Sequence, residues 1–297
     1  MPIYGTQGTI EGMLTTITRS EIVDALNTIL QEENRCFFDN EGNEPIWQKP
    51  FIKIASAEDP LFARLKEIIG LFHWTPNEIL QRRYPEAEAR SVIVWCLPVS
   101  ESARKSNRKE SCFPSQEWAY TRTFGEHINN KLRTGMEQFL DSRGFHSIAP
   151  QLHEENETKW RPGPGWSCNW SERHTAFIAG AGTFGLSGGL ITENGIAHRL
   201  GSIVTDAALK PDIRPYGENP FAWCLRVAKG TCGVCIKRCP VGSIGGSPQE
   251  RNKNTCAEYS YKTIKEYGQK AFSWEGVYGC GLCQTGVPCE FQKPHGL

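Results

Sequence analysis

The chain has 297 residues, with 33 Lys and Arg balanced by 33 Asp and Glu, so its formal net charge is zero. That balance excludes the overall basic footprint of a generic nucleic-acid or anionic-membrane binder. With 39% hydrophobic and 22% charged residues, the composition is that of a soluble globular chain of one large or two ordinary domains.

No apolar run reaches the roughly 18 residues of a membrane span. Met1 to Ser20 lack a basic patch followed by an apolar stretch, so no secretory signal and a cytoplasmic location are expected. Ser20 followed by Ile22, Ala25, Leu26, Ile29 and Leu30 predicts an amphipathic helix over 20–34. Asp59-Pro60 and Thr75-Pro76 each place a capping residue before a proline that starts a helix. The continuous apolar run Ser91 to Leu97, ended by Pro98, predicts a strand buried on both faces. Residues 100–114 are polar and basic and read as a surface loop. A long helical pattern follows from about 115 to 142, with Gly144 at its C-terminal stop and a short strand from Phe145 to Ala149. The prolines, glycines and charges of 151–166 read as a loop. Helices interleaved with buried strands imply an α/β sheet domain.

Gly180, Gly182 and Gly185 spell G-x-G-x-x-G, with Asp206 about twenty residues on, as in a dinucleotide fingerprint. That fingerprint needs a strand before it and a helix after it. Here Ser171 caps a helical stretch before the glycines, and the hairpin signal Asn194-Gly195 follows, with Ala197 to Thr205 as the returning strand. A glycine-rich wall fits better, where backbone closely approaches other backbone or a flat ligand.

Twelve cysteines are many for this length, and eight of them fall between Cys224 and Cys289, while Cys36, Cys96, Cys112 and Cys168 are scattered. Clustered thiols in a reducing compartment point to metal. Cys232-x2-Cys235-x3-Cys239-Pro240 resembles the second half of the bacterial ferredoxin run. The position of that run's first ligand holds Lys229, and Cys224 is the replacement upstream. A second set comprises Cys256, Cys280, Cys283 and Cys289. Crossed ligation of the ferredoxin kind would pair Cys224, Cys232, Cys235 and Cys289 on one [4Fe–4S] cluster, and Cys239, Cys256, Cys280 and Cys283 on the other. Structural zinc and disulfides are the alternatives; the Cys239-Pro240 step and the gap before it favour iron–sulfur clusters. From Phe221 to Leu297 there are ten Lys and Arg against five Glu and no Asp, an excess that two clusters of roughly −2 each would largely offset. Cys96 reads as core, and a catalytic role for Cys168 is the weaker of its two readings.

The order of these segments resembles the cobalamin-dependent epoxyqueuosine reductases and their relatives, the reductive dehalogenases. The resemblance runs from Ser91–Leu97 through Ser171-Glu-Arg-His, Ala179 to Ser187 and Arg199 to Asp206, to both cysteine groups including the isolated Cys256. It implies a nitroreductase-like α/β domain at 1–215 and a ferredoxin-like double-cluster domain at 216–297. Between them it implies a base-off cobalamin bordered by Gly180, Gly182, Thr183, Phe184, Gly185 and Ser187. The implied function is a reductase in which two clusters pass electrons to a corrinoid that reduces a small substrate. Its electrons would come from a low-potential donor of the ferredoxin or flavodoxin type. The family's active-site tyrosine falls near Phe124, with Tyr120 one helical turn earlier as substitute, and its acidic proton donor is absent around Trp166. The short stretch after Cys289 has no helical-repeat extension, so a small-molecule substrate rather than tRNA is expected. The alternative from the same residues is an electron-transfer protein without its own corrinoid, serving a partner enzyme.

Overall fold

Each of the first three helices starts where a side chain can satisfy orphaned amides. A computed structural model describes residues 16–296, apart from 35–44, 164 and 273–275. Cys36 and most of the N-terminal stretch read for a leader lie outside the described residues. Helix α1 (Arg19–Glu33) is capped by Thr18 in a reciprocal box with Glu21, two residues before the serine expected to cap it. Strand β1 (Phe51–Ser56) leads to α2 (Pro60–Ile68), capped by Asp59, and to α3 (Pro76–Arg83), capped by Thr75 in a second box with Glu78.

Strand β2 (Ser91–Pro98) is buried at all eight positions. Val92, Val94 and Cys96 face one core, with Leu61, Ile79 and Trp170, while Ile93, Trp95 and Leu97 face another, with Leu26, Leu132 and Met136. The alternation of side chains along a strand thus explains an unbroken apolar run.

The polar stretch read as a loop instead carries α4 (Glu101–Arg108), whose inward face is Ala103, Arg104 and Asn107. Hydrophobic periodicity cannot register a helix whose buried face is largely polar. Helix α5 (Gln116–Ser142) begins at the Ser115 cap, and Gly144 follows it in the left-handed region (φ +78°). Strand β3 (Ser147–Ile148) is shorter than expected, and the loop over 151–166 contains β4 (Thr158–Arg161), which pairs antiparallel with β5 (Gly165–Cys168).

Helix α6 (Glu172–Ile178) precedes the glycines and β6 (Gly182–Phe184) follows them, the reverse of a dinucleotide site. Asp206 accepts from the His146 amide at 3.0 Å and contacts its Nδ1 at 2.8 Å. The Asn194-Gly195 turn closes on Thr192, but its flanking strands do not pair with each other. Strand β7 (Leu190–Thr192) pairs with β6, and β8 (His198–Thr205) crosses to the main sheet, of order β1-β2-β8-β3, antiparallel throughout. The architecture is mixed α/β, with helices on both faces of that sheet.

The tail holds short helices α7 (Leu225–Lys229), α8 (Val234–Lys237) and α9 (Lys253–Glu258), a π turn, and α10 (Ile264–Ala271). Trp223, Cys224, Ile244 and Val287 join the same core as β2. Among the described residues no helix is long and apolar enough to cross a membrane.

Candidate metal centres

The eight clustered cysteines fall into two groups of four. Cys224 caps α7, Cys232 lies just before α8 and Cys235 within it, and Cys289 comes from the far end of the tail; together they line one cavity. Its other walls include Leu186, Ile191, Ile196 and Val287, an apolar shell. Cys239, Cys256, Cys280 and Cys283 line a second cavity. Ser187, buried, borders both, so the two cavities are neighbours. Among the described residues no three or more histidine, cysteine or acidic side chains are close enough to grip a single metal ion.

The charges that bear on each cysteine come mostly from its own group, although Cys235 of the first also raises Cys283 of the second. Burial, then the charges of Cys224 and Cys232, pushes Cys235 up to about 11. Burial, then Cys235, Cys224 and Cys232, pushes Cys289 up to about 12. In the second group burial raises Cys280 to about 11, with Cys256 and Cys239 adding to it, and raises Cys283 further still. Four thiolates crowded in a dry space repel one another, so they stay ionised together only around a cationic core, and binding it must release protons.

Local structure explains these placements. Gly230, left-handed at φ +69°, ends α7 and turns the chain toward Cys232. Cys239 Sγ accepts from the Ser243 amide at 3.2 Å. Gly281, between Cys280 and Cys283, has φ +60°, and a Cβ there would fall 2.0 Å from the Trp118 indole on α5. The Arg238 guanidinium donates to the carbonyls of Leu282 and Thr285 at 3.1 and 2.9 Å and to those of Asn107, Arg108 and Glu110 in or after α4. Glu290, next to Cys289, is 2% exposed and binds Arg104 and Arg108 of α4. Sequence reasoning missed Arg238, Asn107, Arg104 and Glu290, because the signal is pairing between residues well over a hundred positions apart.

The glycine-rich segment serves the chain's own packing. A Cβ at Gly180 would fall 2.7 Å from the Ile213 carbonyl oxygen, and one at Gly182 would fall 2.1 Å from that of Ile191. Thr183 is buried, its hydroxyl accepting from the Trp223 amide at 2.9 Å. Gly185 and Ser187 line the first cysteine cavity, and half-buried Phe184 packs near His174 and Phe177. Tyr120 is buried against Phe124, with ring centroids 4.4 Å apart. Cys96 is core, as expected. Cys112 is exposed.

No family model matches the chain, and no curated protein matches it. Among solved structures it shows fold-level similarity to the epoxyqueuosine reductase of Bacillus subtilis, at 20% identity over 94% of this chain and 66% of that one, TM-score 0.44. It is similar to an epoxyqueuosine reductase solved with an epoxyqueuosine-modified tRNA-Tyr stem loop, at 19% identity over 92% of this chain and 65% of that one, TM-score 0.46. It is also similar to the catabolic reductive dehalogenase NpRdhA, at 12% identity over 92% of this chain and 37% of that one, TM-score 0.47. The chain spans less than two-thirds of the length of each.

Proposed function

We propose that this protein is an iron–sulfur oxidoreductase that carries electrons through two [4Fe–4S] clusters. The observation that carries the reading is the sorting of eight cysteines into two adjacent cavities of four. Cys224, Cys232, Cys235 and Cys289 would hold one cluster, and Cys239, Cys256, Cys280 and Cys283 the other. When bound, such clusters take up and release single electrons at potentials set by hydrogen bonds, charge and solvent access. The chain's own residues bear on all three. The Ser243 amide donates to Cys239, Arg251 lines the second cavity, and Leu186, Ile191 and Ile196 keep water from the first. No acid occurs from Phe221 to Gln249, whereas Arg226 lines the first cavity and Lys229 and Lys237 are exposed close by. This basic rim suits an acidic, low-potential donor protein of the ferredoxin or flavodoxin type.

A bound corrinoid extends the proposal and rests on motif resemblance alone. Of the six residues expected to border it, Gly180, Gly182 and Thr183 are enclosed by the chain's own atoms and Gly185 and Ser187 face a cysteine cavity. They do not form an open wall for a macrocycle. The acceptor of the electrons is then a small substrate or a partner protein.

Anaerobic purification followed by iron and sulfide analysis, visible absorption and EPR after reduction tests the reading. Two clusters per chain are expected. Cys224→Ala and Cys256→Ala should each remove roughly half of the iron, and each should abolish a different EPR signal. Colourless protein without iron after reconstitution, or a lone zinc ion, refutes it. Equilibration with cobalamin tests the extension separately, through the base-off spectrum.

A further inference from the structure

The two cysteine cavities are furnished differently. Leu186, Ile191, Ile196, Val287 and two prolines close the first, and Ser187 is the only hydroxyl side chain on its wall among the described residues. Its cation, Arg226, is engaged elsewhere: Nε donates to the Gly246 carbonyl at 3.3 Å, and the Glu250 carboxylate accepts from the amide of the same glycine at 2.8 Å. The second cavity is polar. Ser187, Ser243, Tyr259 and Ser260 line it together with Arg251, and among the described residues no carboxylate does. The Tyr259 hydroxyl is taken up by the Cys112 carbonyl, which leaves Arg251 and the serines to face what the cavity holds.

Ser243, 2% exposed, meets Cys239 Sγ twice, through its amide and through its hydroxyl, each at 3.2 Å. A thiolate that ligates metal carries no proton, so in that state the hydroxyl is the donor. Arg251 packs its guanidinium over Gly188, where a Cβ would fall 2.4 Å from Nη1, and its Nε is buried with no hydrogen-bond partner among the described residues. The amide of the next residue, Asn252, donates to the Ser243 carbonyl at 2.8 Å, which ties the two positions together. A buried guanidinium N–H without an acceptor, on the wall of a cavity lined by four cysteines, lacks the negative partner that such a group requires.

We propose that Ser243 and Arg251 make the second site the resting place of the electron, holding a cluster bound by Cys239, Cys256, Cys280 and Cys283 at a higher potential than one bound by Cys224, Cys232, Cys235 and Cys289. The proposal deepens the iron–sulfur reading and rests on it. An oxidised cube with four thiolates carries roughly −2, and one electron takes it to roughly −3. Hydrogen-bond donors and a buried cation stabilise the added charge, whereas an apolar wall penalises it. One electron therefore passes from a reduced first cluster to an oxidised second, with no bond made or broken and no proton moved. Lys229 and Lys237, near the first cavity, are exposed, so water screens their charge and they mark the side of entry rather than set the potential.

The test is an anaerobic redox titration of the holoprotein followed by EPR, with iron content and circular dichroism measured on the same samples. The signals missing from Cys224→Ala and from Cys256→Ala identify the first and second clusters. Two midpoints are expected, the second cluster being favoured for the electron by about tenfold or more, a separation of about 59 mV or more. Ser243→Ala should cut that preference about threefold and Arg251→Gln about tenfold, at unchanged iron content and with the first midpoint in place. Arg251→Lys keeps the charge and should restore most of the preference, whereas a residue that only shapes the fold would not separate lysine from glutamine. Coincident midpoints in the wild-type protein, reduction of the first cluster before the second, or unmoved midpoints in both Ser243→Ala and Arg251→Gln overturn the proposal and leave the cluster reading standing. Protein that takes up no iron on reconstitution refutes both.

Discussion

Glu290→Gln should be among the most damaging single changes in the tail. Its carboxylate is 2% exposed and accepts from Arg108 Nη2 at 2.6 Å, Arg108 Nε at 2.8 Å, Arg104 Nη1 at 3.2 Å and the Gly286 amide at 2.7 Å. Arg104 is itself only 7% exposed. Glutamine keeps the volume but removes the charge and points an amide donor at guanidinium groups that have only donors to offer. Breaking one side of a buried pair costs about 3–5 kcal/mol. Arg108, with 34% of its side chain exposed, can recover some hydration, which favours the lower end. At roughly 2–4 °C per kcal/mol for a chain of this general size, a loss of about 3 kcal/mol lowers the melting temperature by roughly 6–12 °C. Thermal unfolding followed by circular dichroism, on anaerobic samples of matched iron content, measures it. A change below about 2 °C would refute the claim that this carboxylate anchors the tail to α4.

Gly182→Ala should cost about 2 kcal/mol or more in urea unfolding, because its Cβ meets the Ile191 backbone oxygen at 2.1 Å, which cannot swing aside. Gly217→Ala, with φ +57° but nothing within 4 Å, should cost only about 1 kcal/mol; equal losses would show that close approach is not what Gly182 supplies. His73 is fully buried, and burial pushes its pKa down to about 4 from 6.5. The unfolded chain then binds the extra proton first, so stability from this group is intact above pH 6.5 and is lost as pH falls toward 4. Between pH 7 and 5 the loss is about 2 kcal/mol. His73→Asn should flatten that part of the urea-stability profile, and an unchanged slope would assign the acid sensitivity elsewhere.

The amino-acid order alone set the local elements. Asp59-Pro60 and Thr75-Pro76 start helices because a cap and a fixed φ act within one turn. Ser91 to Leu97 forms a strand sandwiched between two cores because its apolar run leaves neither face for solvent. The expectation of clusters came from cysteine spacing and the proline after Cys239, a pattern that is local in the chain. Folding decided what depends on distant partners. Helix α4 exists with a polar inward face because Arg104 and Asn107 meet Glu290, Thr285 and the Cys280 carbonyl. The end of the tail returns beside the sheet, where Cys289 lines the cavity of Cys224, because the amides of Ile196 and Ala197 bind the carbonyls of Cys289 and Glu290. The glycines read as a ligand wall are close-packed against the chain itself, since backbone needs the same absence of a Cβ from either neighbour, and only the fold says which neighbour is there.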